Sequence, residues 1–299
     1  MSYDLAVVGA GFSAIAVTIN ALLKLPPSGR VAVVGDDPGF GRGAAYRTEF
    51  YVHRLNVPAA RMSVFADRPD DFLDWLKQKG RDLPGDDFAS RNDYGLYLRD
   101  RLADLLRDRS HRAKVDFIKA KAMACVEMYP GAVVFHLNNT DMLAAKNVVL
   151  CLGVGNARLP LSVAALSPIA KSRIVENPWR LAWLKGVGAH DRVLRGSQNT
   201  RALHVDWIVN STGMERAGIG HSPLLEEMRR LGLVQQDPLG LGIVVDHRSR
   251  IIKANGTVDD RIYAVGALTA SRFWEITAVP DIRRQAAEVA GEIAARFST

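Results

Sequence analysis

Cysteine is scarce in this 299-residue sequence, which contains two, Cys125 and Cys151. They are far apart and each lies in an apolar, strand-like run, so the sequence offers neither a disulfide framework nor a CxxC redox pair. The seven histidines show no ligand-like spacing around the cysteines. We therefore interpret both thiols as structural and expect no metal site.

Long hydrophobic runs are also missing. No stretch approaches the roughly 20 uninterrupted apolar residues that are needed to cross a bilayer. The chain passes from Met1 directly into a strand-like segment, without the basic region or cleavage site of a secretory signal. These absences predict a cytoplasmic protein with no membrane partner.

The charge is positive but dispersed. Lys and Arg number 39 against 32 Asp and Glu, a net charge of +7, and the two signs are interleaved over most of the chain. This pattern favours a solvated surface that attracts anionic cofactors over a nucleic-acid-binding face. We expect no nucleic-acid partner, and the 48% hydrophobic content is ample for a buried core.

Hydrophobic periodicity at the start of the chain predicts strand, turn, helix and strand. Residues 3–8 and 30–34 are short buried-strand runs, and residues 13–23 have helical spacing before the stop signal PPSG at 26–29. This order is typical of the first right-handed crossover of a parallel sheet.

The turn between the first strand and helix carries the small-residue pattern GxGxxA. Gly9 allows a tight turn, Gly11 lets backbone N–H groups approach a pyrophosphate, and Ala14 permits close packing of helix on strand, with Phe12 and Ser13 between them. The context is the one that a dinucleotide-binding fingerprint requires. The alternative is a tight turn without a ligand.

An acidic residue is expected at the end of the second strand, where it would bond the adenosine ribose. Glycine holds that position here, at Gly35, so Asp36 would have to reach in from one residue later.

Several longer motifs give a specific resemblance. They resemble a bacterial FAD/NAD(P)-binding flavoprotein family distantly related to flavin monooxygenases, over roughly residues 1–179 and 203–297. The motifs are GRGAAY at 41–46, LNVPAARMS at 55–63, DFLDWL at 71–76, RNDYGLYL at 91–98, VDWIVNSTG at 205–213 and WEITAVPDIR at 274–283.

The resemblance implies an α/β fold, a Rossmann-like FAD-binding domain with a glutathione-reductase-like parallel sheet and a β-meander. It also implies FAD as the cofactor. Gly153 and Gly213, which close apolar strands, would mark the crossings of the chain beneath it.

The resemblance further implies which residues hold the flavin. Arg42 and Gly43 would wrap the diphosphate together with the 56–63 segment, in which Asn56 and Ser63 offer hydrogen bonds and Pro58 and Met62 offer apolar contact. For Asn56, an ordinary turn-capping role is the alternative.

The distal contacts would come from Gly266 and from the start of the last helix near Thr277 or Ala278, whose free N–H groups stabilise an anionic reduced flavin. For Glu275 two roles are open, a direct contact to the flavin and that of an ordinary solvated or helix-capping acid. No catalytic acid or base is identified. His53 lies nearest to the flavin loop, and a structural role is favoured for it.

A second dinucleotide-binding unit, usual in the family after a segment like ENPW at 176–179, does not fit. Only residues 180–202 separate that segment from the returning strand, and a βαβ unit needs about 30 or more residues. We therefore predict a single domain over 1–299, built from segments 1–179 and 203–299 and joined by a basic connector at 180–202.

The connector contains five basic residues and one acid, Asp191. Either it is a solvated remnant of a lost domain, which is favoured, or it docks an acidic reductase partner or an anionic substrate. The basic residues are Arg180, Lys185, Arg192, Arg195 and Arg201.

These observations predict an FAD-dependent oxidoreductase whose flavin is reduced by its substrate or by a separate donor protein. The alternatives are a non-catalytic flavin-binding subunit or redox sensor and, disfavoured by the missing domain, a self-sufficient NAD(P)H monooxygenase.

Overall fold

The structure, a computed structural model, describes residues 2–37, 40–48, 50–108, 111–129, 131–154, 166–178, 181–194, 204–211 and 219–297. The chain divides into two compact units, Met1–Gly153 with Ala217–Thr299, and Val154–Arg216. The segment expected as a connector, 180–202, belongs to the second unit. The single-domain organisation stays a prediction.

Strands of the first unit form one eight-stranded sheet among the described residues. Its strands are β1 (Ser2–Val8), β2 (Arg30–Val34), β3 (Lys114–Ile118), β4 (Ala122–Tyr129), β5 (Ala132–Leu137), β6 (Met142–Leu150), β10 (Arg250–Ile252) and β11 (Val258–Ala264). The path β10-β11-β6-β1-β2-β3 places β1, the fingerprint strand, at its centre.

The centre of this sheet is parallel. β1 pairs in parallel with β2, Val7 opposite Val33, and with β6, Val7 opposite Val149. β3 and β11 extend it in parallel on either side, and β10 closes one edge as an antiparallel strand. All parallel strands therefore end at one edge, where ligands bind in open α/β sheets.

A β-meander branches from β6. β4 pairs with β5 and β5 with β6, both antiparallel, so the first half of the long β6 serves the meander and the second half the parallel sheet. The predicted fold class, a Rossmann-like domain with a glutathione-reductase-like sheet and a β-meander, is confirmed.

The helices of the first unit are α1 (Phe12–Lys24), α2 (Gly43–Tyr46), α3 (Asp71–Gln78), α4 (Arg91–Arg107), α6 (Pro223–Arg230) and α7 (Val279–Ala295). Side chains alternate across β1, so Leu5 and Val7 join a core with α1, α3, α4 and α7, while Ala6 and Val8 face the other way. That second core includes the meander and α6, which gives three layers.

The second unit is small. Its described residues include α5 (Pro168–Ser172) and three short strands, β7 (Ile174–Val175), β8 (Val193–Leu194) and β9 (Trp207–Val209). β9 lies between the other two and is parallel to both. Val175, Trp207 and Val209 form its buried cluster, with Trp183 and Val187 packed against them.

The strand, helix and strand predicted at 3–8, 13–23 and 30–34 are confirmed as β1, α1 and β2, with boundaries that differ by one residue at most. Outside the named strands, isolated bridges such as Val245 to Ile251 extend the pairing near β10. Among the described residues, no helix combines the length and apolar character that a membrane span requires.

Candidate cofactor site

The N-terminus of α1 is an open anion-binding end. Gly11 is its N-cap, no side chain bonds the cap, and the first turn contains no acidic residue. Nothing lies within 4 Å of the position that a Cβ of Gly11 would take. As at any helix start, the N–H groups of the first turn of α1, from Phe12 onward, have no intrahelical acceptor. These donors and the positive end of the helix dipole lie at the turn where Gly11 leaves open space.

Gly9 fixes the turn that leads into this helix. Its φ of +140° disfavours any residue with a side chain, and a Cβ would collide with the backbone carbonyl of Cys151 at the end of β6. The Gly9 N–H donates to the Val34 carbonyl at 2.8 Å. The glycine thus lets β1, β2 and β6 meet directly beneath the start of α1.

Two other predicted segments converge on the same turn. A Cβ at Gly43 would lie 3.1 Å from the Cα of Gly11, and the Gly41 N–H donates to the Ala10 carbonyl at 2.9 Å. Gly266, at φ +84°, approaches so closely that a Cβ would collide with Ser13 Oγ. The structure therefore brings the fingerprint, the loop that holds the half-buried Arg42, and the Gly266 turn together.

The position of Gly35 explains the missing acid at the end of β2. A Cβ there would lie 2.5 Å from the Cβ of Ala10, so a larger residue does not fit against the fingerprint. Asp36 is exposed, and Asp37 forms an ion pair with Arg47 at 3.4 Å. The ribose contact of Asp36 stays a prediction.

The segment expected to line the flavin has an exposed and a buried part. Asn56 is exposed and Pro58 half-buried, whereas Met62 is 1% exposed and belongs to the core. The Ser63 hydroxyl is engaged in its own turn, since Oγ donates to the Arg68 carbonyl at 2.6 Å. The FAD contacts of these four residues stay predictions.

The start of α7 is also free of side-chain caps. Its N-cap is Ala278, and the preceding Thr277 N–H donates to the Glu275 carbonyl at 2.6 Å. Glu275 and Thr277 are exposed, and Glu275 has a φ of 60°, a conformation that costs a residue with a side chain about 1–2 kcal/mol. The contact of Glu275 to the flavin stays a prediction.

Arg283 ties α7 to the segment around Ser63. Its guanidinium Nη1 donates to the Ser63 carbonyl at 2.7 Å and approaches the Phe65 carbonyl at 3.4 Å. Sequence reasoning assigned no role to Arg283. Its only signal was its place in the WEITAVPDIR motif, because the partner is a backbone carbonyl 220 positions away.

Three further predicted positions have different outcomes. Gly153 follows β6 at φ +66° with open space beside it, while Gly213 lies outside the described residues. His53 Nδ1 lies 2.8 Å from Thr48 Oγ1, and the ring packs near Phe50, which favours the structural role expected for it.

Both thiols are buried and protonated at neutral pH. Burial raises the pKa of Cys125 to about 11 and raises that of Cys151 still further. Neither thiol has the electropositive, accessible surroundings of a reactive cysteine. The structural interpretation of the two cysteines therefore agrees with their surroundings.

The residues around α1 suit a dinucleotide. The helix end is uncapped, and Gly11 leaves room for a phosphate group because it has no side chain. Two glycine loops pack against the same turn, and a Cβ at Gly11 would begin to fill the space between them. The donors are backbone N–H groups, which bind a diphosphate without a metal or a lysine. The site fits FAD on its own chemistry.

Comparisons with known proteins agree with this geometry. A family model described as FAD-NAD(P)-binding matches residues 6–155. No curated protein matches the sequence.

Solved structures share the fold at low identity. The ornithine N-hydroxylase of Kutzneria sp. 744 is 13% identical with a TM-score of 0.66, over 99% of this chain and 100% of that chain. The bacillithiol disulfide reductase of Staphylococcus aureus is 12% identical with a TM-score of 0.62 over the same shares. A flavin monooxygenase from Stenotrophomonas maltophilia is 14% identical with a TM-score of 0.58, again over 99% and 100%.

At these identities the solved structures establish the fold, which is that of flavoprotein oxidoreductases. The family match covers half of the chain and includes the glycine turn, the second strand and β6. It confirms the resemblance deduced from the motifs and FAD as the cofactor. This chain belongs to the FAD-NAD(P)-binding family.

Proposed function

We propose that the protein is an FAD-dependent oxidoreductase whose flavin is reduced by its substrate or by a separate donor protein, not by NAD(P)H bound to a domain of the same chain. The observation that carries this proposal is the size of the second unit, in which residues 195–206 alone join β8 to its parallel neighbour β9.

That link is too short for a nucleotide-binding crossover. Parallel strands joined through a helix form a βαβ unit of about 30 or more residues, with a glycine turn at the N-terminus of the helix. The strands of the second unit are two or three residues long. In the part of this unit that the structure describes, the one α-helix is α5, which is five residues long and has its N-terminus capped by the side chain of Ser167. This helix does not offer the open N-terminus on which a second dinucleotide would bind.

Gly188 of the second unit has a local structural role. The Gly188 N–H donates to the Asp191 carboxylate at 2.9 Å, and the same carboxylate accepts from Trp207 Nε1 at 2.7 Å. These two hydrogen bonds, with Arg173 nearby, lower the pKa of Asp191 and keep it ionised. A carboxylate in this place repels a phosphate, which argues against a cofactor loop at Gly186 and Gly188.

A thiol route for electrons finds no support either. Dithiol relays need a reactive, accessible pair, and Cys125 and Cys151 are both buried and separate. FAD, when bound, supplies electron or hydride transfer, and the chain supplies position and electrostatics.

Anaerobic stopped-flow mixing tests the proposal on protein loaded with FAD. Photoreduction is expected to reduce the flavin fully, while NADH and NADPH reduce it slowly and in linear proportion to their concentration. Rapid, saturable reduction by either nucleotide would contradict the proposal. A flavin that is photoreduced but neither reoxidises in air nor turns over any substrate would support a non-catalytic subunit instead.

The donor, if it is a protein, is proposed to dock on the basic surface of the second unit. Lys185 and Arg192 are exposed there, and their charge favours an acidic partner. The double substitution Lys185→Glu and Arg192→Glu is expected to slow electron transfer from the physiological donor and to weaken its salt dependence. Unchanged transfer would dismiss this surface, while photoreduction serves as the control for an intact flavin.

A further inference from the structure

Gln285 of α7 is a buried amide that uses both ends of its side chain. It is 4% exposed, its Oε1 accepts from the Gly266 N–H at 2.8 Å, and its Nε2 donates to Ser249 Oγ and to Thr269 Oγ1, each at 3.0 Å. The neighbouring buried positions on this helix, Ile282, Ala286 and Val289, are apolar. A polar residue among them is costly unless its hydrogen bonds are made, and here they are.

These bonds fix the backbone of Gly266 from both sides. Its N–H is held by Gln285, and its carbonyl accepts from the Thr269 N–H at 2.9 Å and from Thr269 Oγ1 at 2.8 Å. Gly266 adopts φ +84° and ψ −147°, a conformation open to glycine. Gln285 and Thr269 together therefore define where this turn lies.

The turn lies directly against the candidate cofactor site. The missing side chain of Gly266 is what allows the contact with Ser13, in the first turn of α1. That first turn carries the N–H groups that lack an intrahelical acceptor, and it begins at Gly11, which has open space beside it. A shift of Gly266 would change both the room above Ser13 and the setting of these donors.

We propose that Gln285 is a positioning residue of the FAD site, which acts through Gly266 on the first turn of α1. The proposal rests on FAD binding as stated under Proposed function. A satisfied buried network specifies one geometry, which an apolar side chain of equal volume would not. Its second branch, to Ser249, leads away from the site to the turn before β10 and serves the fold alone.

Three variants separate the positioning role from a structural one. Gln285→Met keeps the volume and removes all three bonds, Gln285→Glu keeps the acceptor for Gly266, and Ser249→Ala removes a partner that does not touch Gly266. For each we would measure the Kd for FAD, the visible circular dichroism of the bound flavin, and the Tm of the FAD-free protein.

Gln285→Met is expected to weaken FAD binding about tenfold and to alter the flavin dichroism. A tenfold loss corresponds to the net free energy of about one hydrogen bond, here one that positions the site. Gln285→Glu restores most of the affinity. Ser249→Ala lowers the Tm but leaves the Kd and the dichroism unchanged. If Gln285→Met does not fold, Thr269→Val, which removes the hydroxyl that donates to Gly266, is expected to give the same loss of affinity.

An unchanged Kd and dichroism in folded Gln285→Met, or in Thr269→Val, would overturn the proposal. A wild-type protein that binds no FAD would instead overturn the proposed function itself. The two failures are therefore distinguished by the wild-type titration.

Discussion

The two units of the chain differ in what their sequences can stabilise. The first unit has an eight-stranded sheet with a hydrophobic core on each face, and helices pack into both cores. The second has strands of two or three residues around Val175, Trp207 and Val209. The fraction of surface that is buried on folding rises with the size of a domain, so a unit this small has a low free energy of unfolding of its own. The comparison teaches that parallel strand pairing can form in a unit whose strands are too short to build a large core.

The largest effect on cofactor binding is expected from the glycine that leaves room for phosphate. Gly11→Val should weaken FAD binding roughly 100-fold or more, because its side chain fills the space beside the free N–H groups. The FAD-free protein should lose only about 1 kcal/mol, since φ at Gly11 is ordinary and no atom lies within 4 Å of the position of its Cβ.

Calorimetric titration with FAD, paired with thermal unfolding, measures both quantities. Gly220→Val is the matched control, because a Cβ there also meets nothing within 4 Å. Normal affinity for FAD in Gly11→Val would refute the assignment of the α1 N-terminus as the diphosphate-binding end. The proposed difference in cofactor binding between the two units would then have no support.

The second unit should yield to one substitution. Trp207 is 7% exposed, packs against Trp183 and bonds Asp191. Trp207→Ala should cost about 3–5 kcal/mol, more than so small a core holds, so residues 174–175 and 207–209 should lose hydrogen-exchange protection. The strands of the first unit should keep theirs.

Exchange measured by mass spectrometry reports both regions at once. Trp274→Ala, at a tryptophan that is 77% exposed, should change neither. Joint loss of protection in β1 would show one cooperative body and would support the single domain expected from the sequence.

A smaller effect is expected where α7 holds the segment around Ser63. Arg283→Ala removes a charged donor from a buried carbonyl and should lower the free energy of unfolding by about 2 kcal/mol. Arg284→Ala, at an exposed arginine whose 3.3 Å contact is with Asp281, should stay within about 0.5 kcal/mol. Denaturant unfolding distinguishes them, and equal losses would contradict the assigned contact.

The smallest effect is a pH dependence at Asp246. Burial raises the pKa of this carboxyl, but hydrogen bonds from the Arg250 N–H, the Arg250 guanidinium and the Arg248 N–H, with the charge of Arg250, lower it below the usual value. A lowered pKa in the folded state adds stability above the unfolded pKa of about 3.9, and this stability is lost as the pH falls through the folded pKa.

Asp246→Asn should therefore cost about 1 kcal/mol at pH 7, and its difference from the wild type should shrink progressively below about pH 4. Urea unfolding at several pH values measures it. A difference that is constant down to pH 2 would show that the ionised carboxylate contributes nothing.

Local signals predicted much of the first unit. The GxGxxA turn, the apolar runs at β1 and β2, and the helical spacing of α1 and α7 all depend on near neighbours in the chain, which periodicity records. The predicted roles of Arg42 and Gly43 beside the fingerprint came from the resemblance, and the structure brings that loop to Gly11. No role was predicted for Arg283 or Gln285, because their hydrogen-bond partners are distant in the chain and leave no recognisable spacing in the sequence.

The sequence by itself predicted the first strand–turn–helix–strand crossover and its glycine fingerprint, because these depend on glycine geometry and on apolar periodicity within short segments. The fold class and FAD were predicted through the family resemblance of the longer motifs. Three features were decided only by the tertiary structure. Position 35 needs a glycine because Ala10 lies so close to it, the Ser63 hydroxyl forms a hydrogen bond within its own turn, and Gln285 holds Gly266 against Ser13. The physical reason is that close approach and burial depend on two segments at once, and the sequence of one segment does not show which other segment packs against it.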